Sequence, residues 1–177
     1  MAVLYCFQCS FFKYENRQKL LIQTLLPQSN KNTSLTTGQL LCGGLFSPDS
    51  LSNWFSAVAL PHALIDNPAQ KERLLSVLLA INIGTPPVSL MQQCVILLQE
   101  NRKTQSQLSL LTLLCRWTSY SPPAVKTLLS IDSSVSHLIA LLSSNESIED
   151  LQEILLHSMC ALVFKVFQLS LKLNCVV

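Results

Sequence analysis

Charge is scarce in this chain. Of 177 residues only 12% are Asp, Glu, Lys or Arg, against about 25% in an average soluble chain. The formal net charge is +2. A balance so close to neutral excludes a strong electrostatic pull toward nucleic acid or anionic lipid. The acidic side chains form no catalytic pair. Asp66, Glu72, Glu100 and Asp132 stand alone, while Glu146, Glu149, Asp150 and Glu153 gather at one helix start, where the helix dipole accounts for them. His62, His137 and His157 have no Ser or Cys partner in a known catalytic spacing, and no Gly-x-Ser-x-Gly is present. The chain therefore reads as a non-enzyme with no cofactor.

Other signals are missing too. The opening Met1–Phe12 is apolar but lacks a basic leader and a small-x-small cleavage site, so it is not a signal peptide. No run of about 20 apolar residues is expected to cross a membrane; Leu155–Val177 comes nearest, interrupted by Lys165 and Lys172. The seven cysteines, Cys6, Cys9, Cys42, Cys94, Cys115, Cys160 and Cys175, are odd in number and irregular in spacing. They read as reduced core thiols of a cytosolic chain rather than a disulfide framework. Cys6-x-x-Cys9 has no second ligand pair for zinc. The sequons at Asn32 and Asn145 are then without meaning.

What is there is helical. Hydrophobic residues make up 49% of the chain, enough for a sizeable core in one domain and unusual for a free-standing one. The pattern predicts helices over Val3–Phe12 and Gln18–Leu26, with a break at Asn16–Arg17, and a surface loop over Gln28–Thr36. Further helices are expected from Ser50 to about Ile65, kinked at Pro61, and from Asn67 and Pro68 through Leu79. Val88–Gln99, Gln105–Tyr120, Ala124–Ser130, Val135–Leu142 and a long final helix from Ser147 complete the series. No convincing alternating strand appears.

The least generic stretch runs from Thr37 to Trp54. The pair Gly43–Gly44 sits among Leu41, Cys42, Leu45 and Phe46, which suggests a helix end or a close backbone approach. Pro48, Asp49 and Ser50 then restart a helix, with Asp49 or Ser50 as its N-cap. Without a preceding strand, a Gly-x-Gly-x-x-Gly or a following Gly-Lys-Ser/Thr, the pair is no phosphate cradle.

An internal repeat spans about fifty residues. Each copy is an apolar helix, a polar cap, a Lys and a Leu pair: Asn16 with Lys19 and Leu20–Leu21, Asn67 with Lys71 and Leu74–Leu75, Ser121 with Lys126 and Leu128–Leu129. The fold class expected is all-α, an armadillo-like helical solenoid (an α-α superhelix), here incomplete; a compact helical bundle is the alternative. Trp54 and Trp117, on apolar helices at matching points, are expected to be buried anchors of successive repeats. Arg102, Lys103, Arg116 and Lys126 could line one face and form a candidate interaction surface for acidic peptide or headgroups; a solvated helix end is the plainer reading.

Certain residues also carry a family resemblance. Gly38-Gln39-Leu40-Leu41-Cys42-Gly43-Gly44-Leu45-Phe46-Ser47, with Asp49-Ser50-Leu51-Ser52-Asn53-Trp54, resembles the globular head of the general vesicular transport factor family, which are Golgi vesicle tethers. So do Val3–Cys9, Thr24–Pro27, Ala57–Leu60, His62–Leu64, Gln70–Glu72, Pro86–Leu90 and Gln92–Cys94. The likeness weakens from Asn101, persists at Leu113–Trp117 and Met159–Leu162, and is lost after Leu162; Pro61 departs from the pattern, which would run Ala there. The resemblance implies residues 1–162 as an internal armadillo-like head segment and 163–177 as a divergent C-terminal helix or tail. It implies a scaffold for docking transport vesicles at the Golgi, cytoplasmic and peripheral on the membrane. Implied partners are a Rab GTPase, SNARE proteins and other Golgi tethers, with no nucleic acid, and the complete family member is a homodimer. A generic armadillo or HEAT adaptor of another pathway is the alternative. The isolated chain, with no long heptad run to supply reach and no polar capping repeat, is expected to self-associate or need a partner, and not to tether alone.

Overall fold

The computed structural model describes residues 2–25, 36–79, 86–100, 103–143 and 151–172. The expected loop over Gln28–Thr36 lies outside them except for Thr36, as do Arg102, the Ser147 helix start and Cys175.

Three helices make the first unit: α1 (Ala2–Phe11), α2 (Glu15–Leu25) and α3 (Thr37–Leu45). The second holds α4 (Ser50–Ala59), a 3₁₀ turn (Leu60–Ala63), α5 (Pro68–Leu75) and α6 (Leu90–Glu100). The third is α7 (Thr104–Thr118), α8 (Pro122–Leu129) and α9 (Ser134–Ser143), and α10 (Leu151–Lys172) opens a fourth. The first helices of the units stack in a row, α1 on α4, α4 on α7 and α7 on α10. The second helices stack beside them, α2 on α5 and α5 on α8. This is an armadillo-like solenoid: each unit leaves an apolar face that only its neighbour can cover.

The turns between first and second helices repeat in detail. Each contains one residue in the left-handed region: Lys13 (φ 58), Asp66 (φ 54) and Tyr120 (φ 51). The next residue, Tyr14, Asn67 or Ser121, starts the second helix. Asn67 caps α5 by accepting from the Gln70 amide at 3.3 Å, and Pro68 and Pro122 occupy the first turns, where a missing N–H costs nothing. Counting from these turns aligns Leu21, Leu74 and Leu128, all buried in the core. It also shifts the expected lysine register by one residue. Lys19 and Lys126 are equivalent and exposed, whereas Lys71 is equivalent to Gln18 and Val125 and is buried.

Several boundaries differ from expectation. The first break falls at Phe12–Tyr14, not at Asn16–Arg17, which lie inside α2. There the Arg17 guanidinium stands over the Tyr14 ring at 4.8 Å and donates to the Ser10 carbonyl at 3.3 Å. The fifth helix stops at Leu75, and a two-residue strand, β1 (Leu78–Leu79), pairs antiparallel with β2 (Val88–Ser89). Pro86 and Pro87 therefore precede a strand, and the next helix starts only at Leu90. Pro61 converts the end of the α4 region to a 3₁₀ turn rather than kinking a continuous helix. Contrary to expectation, α10 is long and apolar enough to cross a membrane by length and composition alone. Here one face of it, with Leu156, Cys160, Val163 and Phe167, is buried in the core.

The glycine pair divides in role. The helix runs through it and ends at Leu45, and Asp49 caps the next by accepting from the Ser52 amide at 2.9 Å. A Cβ at Gly44 would collide with the Ser56 hydroxyl, whereas one at Gly43 would meet nothing. The tightest approach to backbone is at Gly38, where a Cβ would lie 2.7 Å from the Leu25 amide nitrogen and 2.8 Å from the Thr24 carbonyl carbon. The Gly38 amide donates to the Thr24 hydroxyl at 3.0 Å, and Thr36 and Gln39 form a capping box ahead of it.

The two tryptophans are not equivalent. Trp117 is wholly buried, and its indole N–H donates to the Lys71 carbonyl at 2.9 Å. Trp54 is only half-buried, beside an open apolar groove with Phe7, Leu40, Leu51 and Phe55. By the turn register Trp54 aligns with Leu108, not with Trp117, which corrects the expectation of paired anchors. Of the described cysteines, all free, Cys94, Cys115 and Cys160 are buried, while Cys6 and Cys9 are exposed. Burial pushes the Cys42 and Cys160 thiols up to about 11.

Candidate interaction surface

The basic residues singled out from the sequence do not share one spot. Arg102 lies outside the described residues. Lys103 is exposed at the start of α7, and its backbone carbonyl accepts from the amides of Ser106 and Gln107 at 3.0 and 3.1 Å. Its charge helps hold the Asp49 carboxyl below the usual range, after the larger effect of the Ser52 hydrogen bonds. Arg116 is exposed in the last turn of the same helix, about 20 Å further along its axis. Lys126 is exposed in the last turn of α8.

What the fold does bring together is Arg116 and Lys71, from different units. Lys71 is only 5% exposed, and its ammonium donates to the Ser119 carbonyl at 2.5 Å. Arg116 stands near enough to lower the pKa of both Lys71 and His62. Burial is the main cause in each case; Asp66 acts on Lys71 in the opposite sense. An open pocket of about 330 Å³ lies over this group, lined by Asp66, Lys71, Arg116, Ser119 and the exposed Tyr120. The arrangement can hold an anion: a planar guanidinium at the rim and a fixed ammonium beneath. In the sequence Lys71 stands out only as a member of the repeat, one residue out of register with Lys19 and Lys126.

Elsewhere, Gln18 is almost completely buried and joins the first and second units. Its amide donates to the carbonyls of Phe11, His62 and Ile65 at 3.1, 3.3 and 3.1 Å, and accepts from the Asn67 amide at 2.8 Å. Ser170 joins α10 to the α7–α8 turn, donating to the Thr118 carbonyl at 2.9 Å and accepting from the Tyr120 amide at 3.1 Å. Among the described residues no three His, Cys, Asp or Glu side chains gather as a metal would require.

Comparison with known proteins gives a consistent match. The family model described as "Uso1 / p115 like vesicle tethering protein, head region" matches residues 1–168. The human protein named general vesicular transport factor p115 is 49% identical over 164 residues, and those of Rattus norvegicus and Mus musculus are each 50% identical. Each alignment covers 92% of this chain but 17% of the relative, so the chain spans about a sixth of the length of the curated relatives it matches.

Proposed function

This chain belongs to the family of Uso1/p115-like vesicle tethering proteins, in their head region, and from that premise we propose that it serves as a protein-interaction scaffold in docking transport vesicles at the Golgi. The observation that carries the reading is the family match over residues 1–168 on a chain folded as stacked armadillo-like units. The family is one of tethering factors, and the role proposed is binding rather than catalysis. Residues 1–162 act as the head segment and 163–177 as its divergent end. Arg102, Lys103, Arg116 and Lys126 contribute to the binding surface, with Arg116 central because Lys71 stands beside it. Partners are proteins of vesicle transport, a Rab GTPase, SNAREs and other Golgi tethers among them, met on the cytoplasmic side by a peripheral protein. The complete family member acts as a homodimer.

The test is capture of purified Golgi membranes by the immobilised chain, before and after the membranes are stripped of peripheral proteins and treated with protease. Protease-sensitive capture is expected. No capture, or capture equal on protein-free liposomes of the same lipids, would overturn the reading.

A further inference from the structure

Two successive turns of the solenoid are held by the same device with different chemistry. Gln18 from the first unit donates to the carbonyl of Ile65, the residue before the left-handed Asp66. Lys71 from the second unit donates to the carbonyl of Ser119, the residue before the left-handed Tyr120. Gln18 and Lys71 sit at the same distance from their own turns and both are buried. At the first turn a neutral amide is sufficient. At the second an ammonium does the same work, and burying an ammonium is costly unless a counter-charge meets it. The Lys71 ammonium donates to the Ser119 carbonyl, and Arg116, a second cation, lines the same pocket beside it. Asp66, which lines the same pocket, is the carboxylate that acts on Lys71. The pocket over them thus carries more positive charge than the turn requires.

We propose that the pocket formed by Lys71, Arg116 and Tyr120 at the α7–α8 turn is a recognition site for a carboxylate of an acidic segment in a partner protein. Arg116 presents its fork to the carboxylate, and Lys71 supplies a fixed charge below it. Tyr120, 71% exposed at the rim, offers a ring to the neighbouring residue of the segment. A carboxylate fits better than a phosphate-bearing membrane surface for two reasons. Lys71 lies at the bottom of a concavity that a flat bilayer cannot follow. Asp66 reduces the local charge to a single net positive, which one carboxylate neutralises and a phosphate dianion would overcompensate.

The inference rests on the reading of the chain as a protein-binding scaffold, but its test is separate. Fluorescein-labelled hexaglutamate is titrated with the 177-residue chain at low and high salt and followed by anisotropy, with hexaglutamine as the neutral control. Binding of hexaglutamate alone is expected. Arg116→Gln and Lys71→Gln should each weaken it by at least about tenfold, and Lys19→Gln, at an exposed lysine on α2 away from the pocket, should leave it unchanged. Lys71→Gln places at this turn the amide that already serves at the first, so its melting temperature should hold. Should that variant fail to fold, Arg116→Gln, exposed to solvent, decides alone. Wild-type affinity in Arg116→Gln overturns the proposal, as does an equal loss in Lys19→Gln or no binding of hexaglutamate by the wild type. Sedimentation with phosphatidylserine vesicles that depends on Arg116, without hexaglutamate binding, would assign the pocket to a membrane instead. Failed Golgi-membrane capture with intact hexaglutamate binding would strike the tethering role and leave the pocket; the reverse would strike the pocket alone.

Discussion

Replacing Trp117 tests how the units are joined. Its ring is wholly buried on α7, and its indole N–H donates across the unit boundary to the Lys71 carbonyl. Trp117→Ala removes a large aromatic from a close-packed interior, a loss of about 3–5 kcal/mol. The vacated Lys71 carbonyl adds about 1 kcal/mol. For a domain of this length each kcal/mol moves the melting temperature by about 2–4 °C, so a fall of about 8–24 °C is expected. Trp54→Ala is the control. Trp54 is half-buried beside an open groove, and its loss should cost about 1–2 kcal/mol. The assay is urea and thermal unfolding followed by far-ultraviolet circular dichroism. Trp117→Phe keeps most of the ring and removes only the donor, and should fall between the wild type and the alanine variant. Equal losses for the two tryptophans, or no loss at Trp117, would refute the register in which only Trp117 reaches the neighbouring unit.

Three further outcomes are expected. Gly38→Ala must push the Thr24–Leu25 backbone aside and should cost about 1–3 kcal/mol in urea unfolding. Gly44→Ala, which must turn the Ser56 hydroxyl, should cost less, and Gly43→Ala should gain up to about 1 kcal/mol; the reverse order would be contrary to the packing described. Burial, with Arg116 nearby, holds His62 below its ordinary pKa, and burial does the same at His137 against the opposing Leu98 backbone contact; His62 Nδ1 and His137 Nε2 are buried without a partner. The unfolded chain then takes up the proton first, so stability present above about pH 6.5 should fall below it, and His62→Gln should flatten that fall. A urea midpoint unchanged between pH 7.5 and 5.5 would count against this. Leu151, Ile154, Leu155, Leu162 and Leu169 are exposed along α10, so the isolated chain should self-associate in light scattering, and Leu155→Lys with Leu162→Lys should reduce the mass. A wild-type monomer at micromolar concentration would contradict that.

Much of the fold could be read in advance because its boundaries are chemical. Asn67 with Pro68 and Ser121 with Pro122 mark second helices by their caps, and the Leu pairs mark the faces those helices bury. Other features left weaker signals. The pairing of Leu78–Leu79 with Val88–Ser89 is two residues long, too short for alternation to declare itself. The turns use Lys13, Asp66 and Tyr120 in the left-handed region, where Gly or Asn would have been recognised. Without those anchors the repeat aligned on lysines and slipped by one residue. The capping box of Thr36 with Gln39 is legible as a helix start, and it moves Thr36 from the end of the expected loop to the N-cap of α3. The pocket could not be read at all, since Lys71 and Arg116 lie on different units and meet only through the stacking of α5, α7 and α8.

In a solenoid the repeated position separates what structure demands from what it tolerates. Gln18, Lys71 and Val125 occupy one such position, and all three are buried. Their chemistry differs: an amide, an ammonium and a hydrocarbon. Burial is therefore the structural requirement, and a donor at this place is useful but dispensable. At the α7–α8 turn Ser170 from α10 adds a second clamp, holding the Thr118 carbonyl and the Tyr120 amide. That turn is thus fixed from both sides, by α5 before it and α10 after it, and Lys71 is fixed in return by the Trp117 indole on its carbonyl. A charge set in so rigid a frame loses little further entropy when it meets a ligand. The position where the repeats agree in burial but disagree in charge is where the scaffold has chemistry left over for binding.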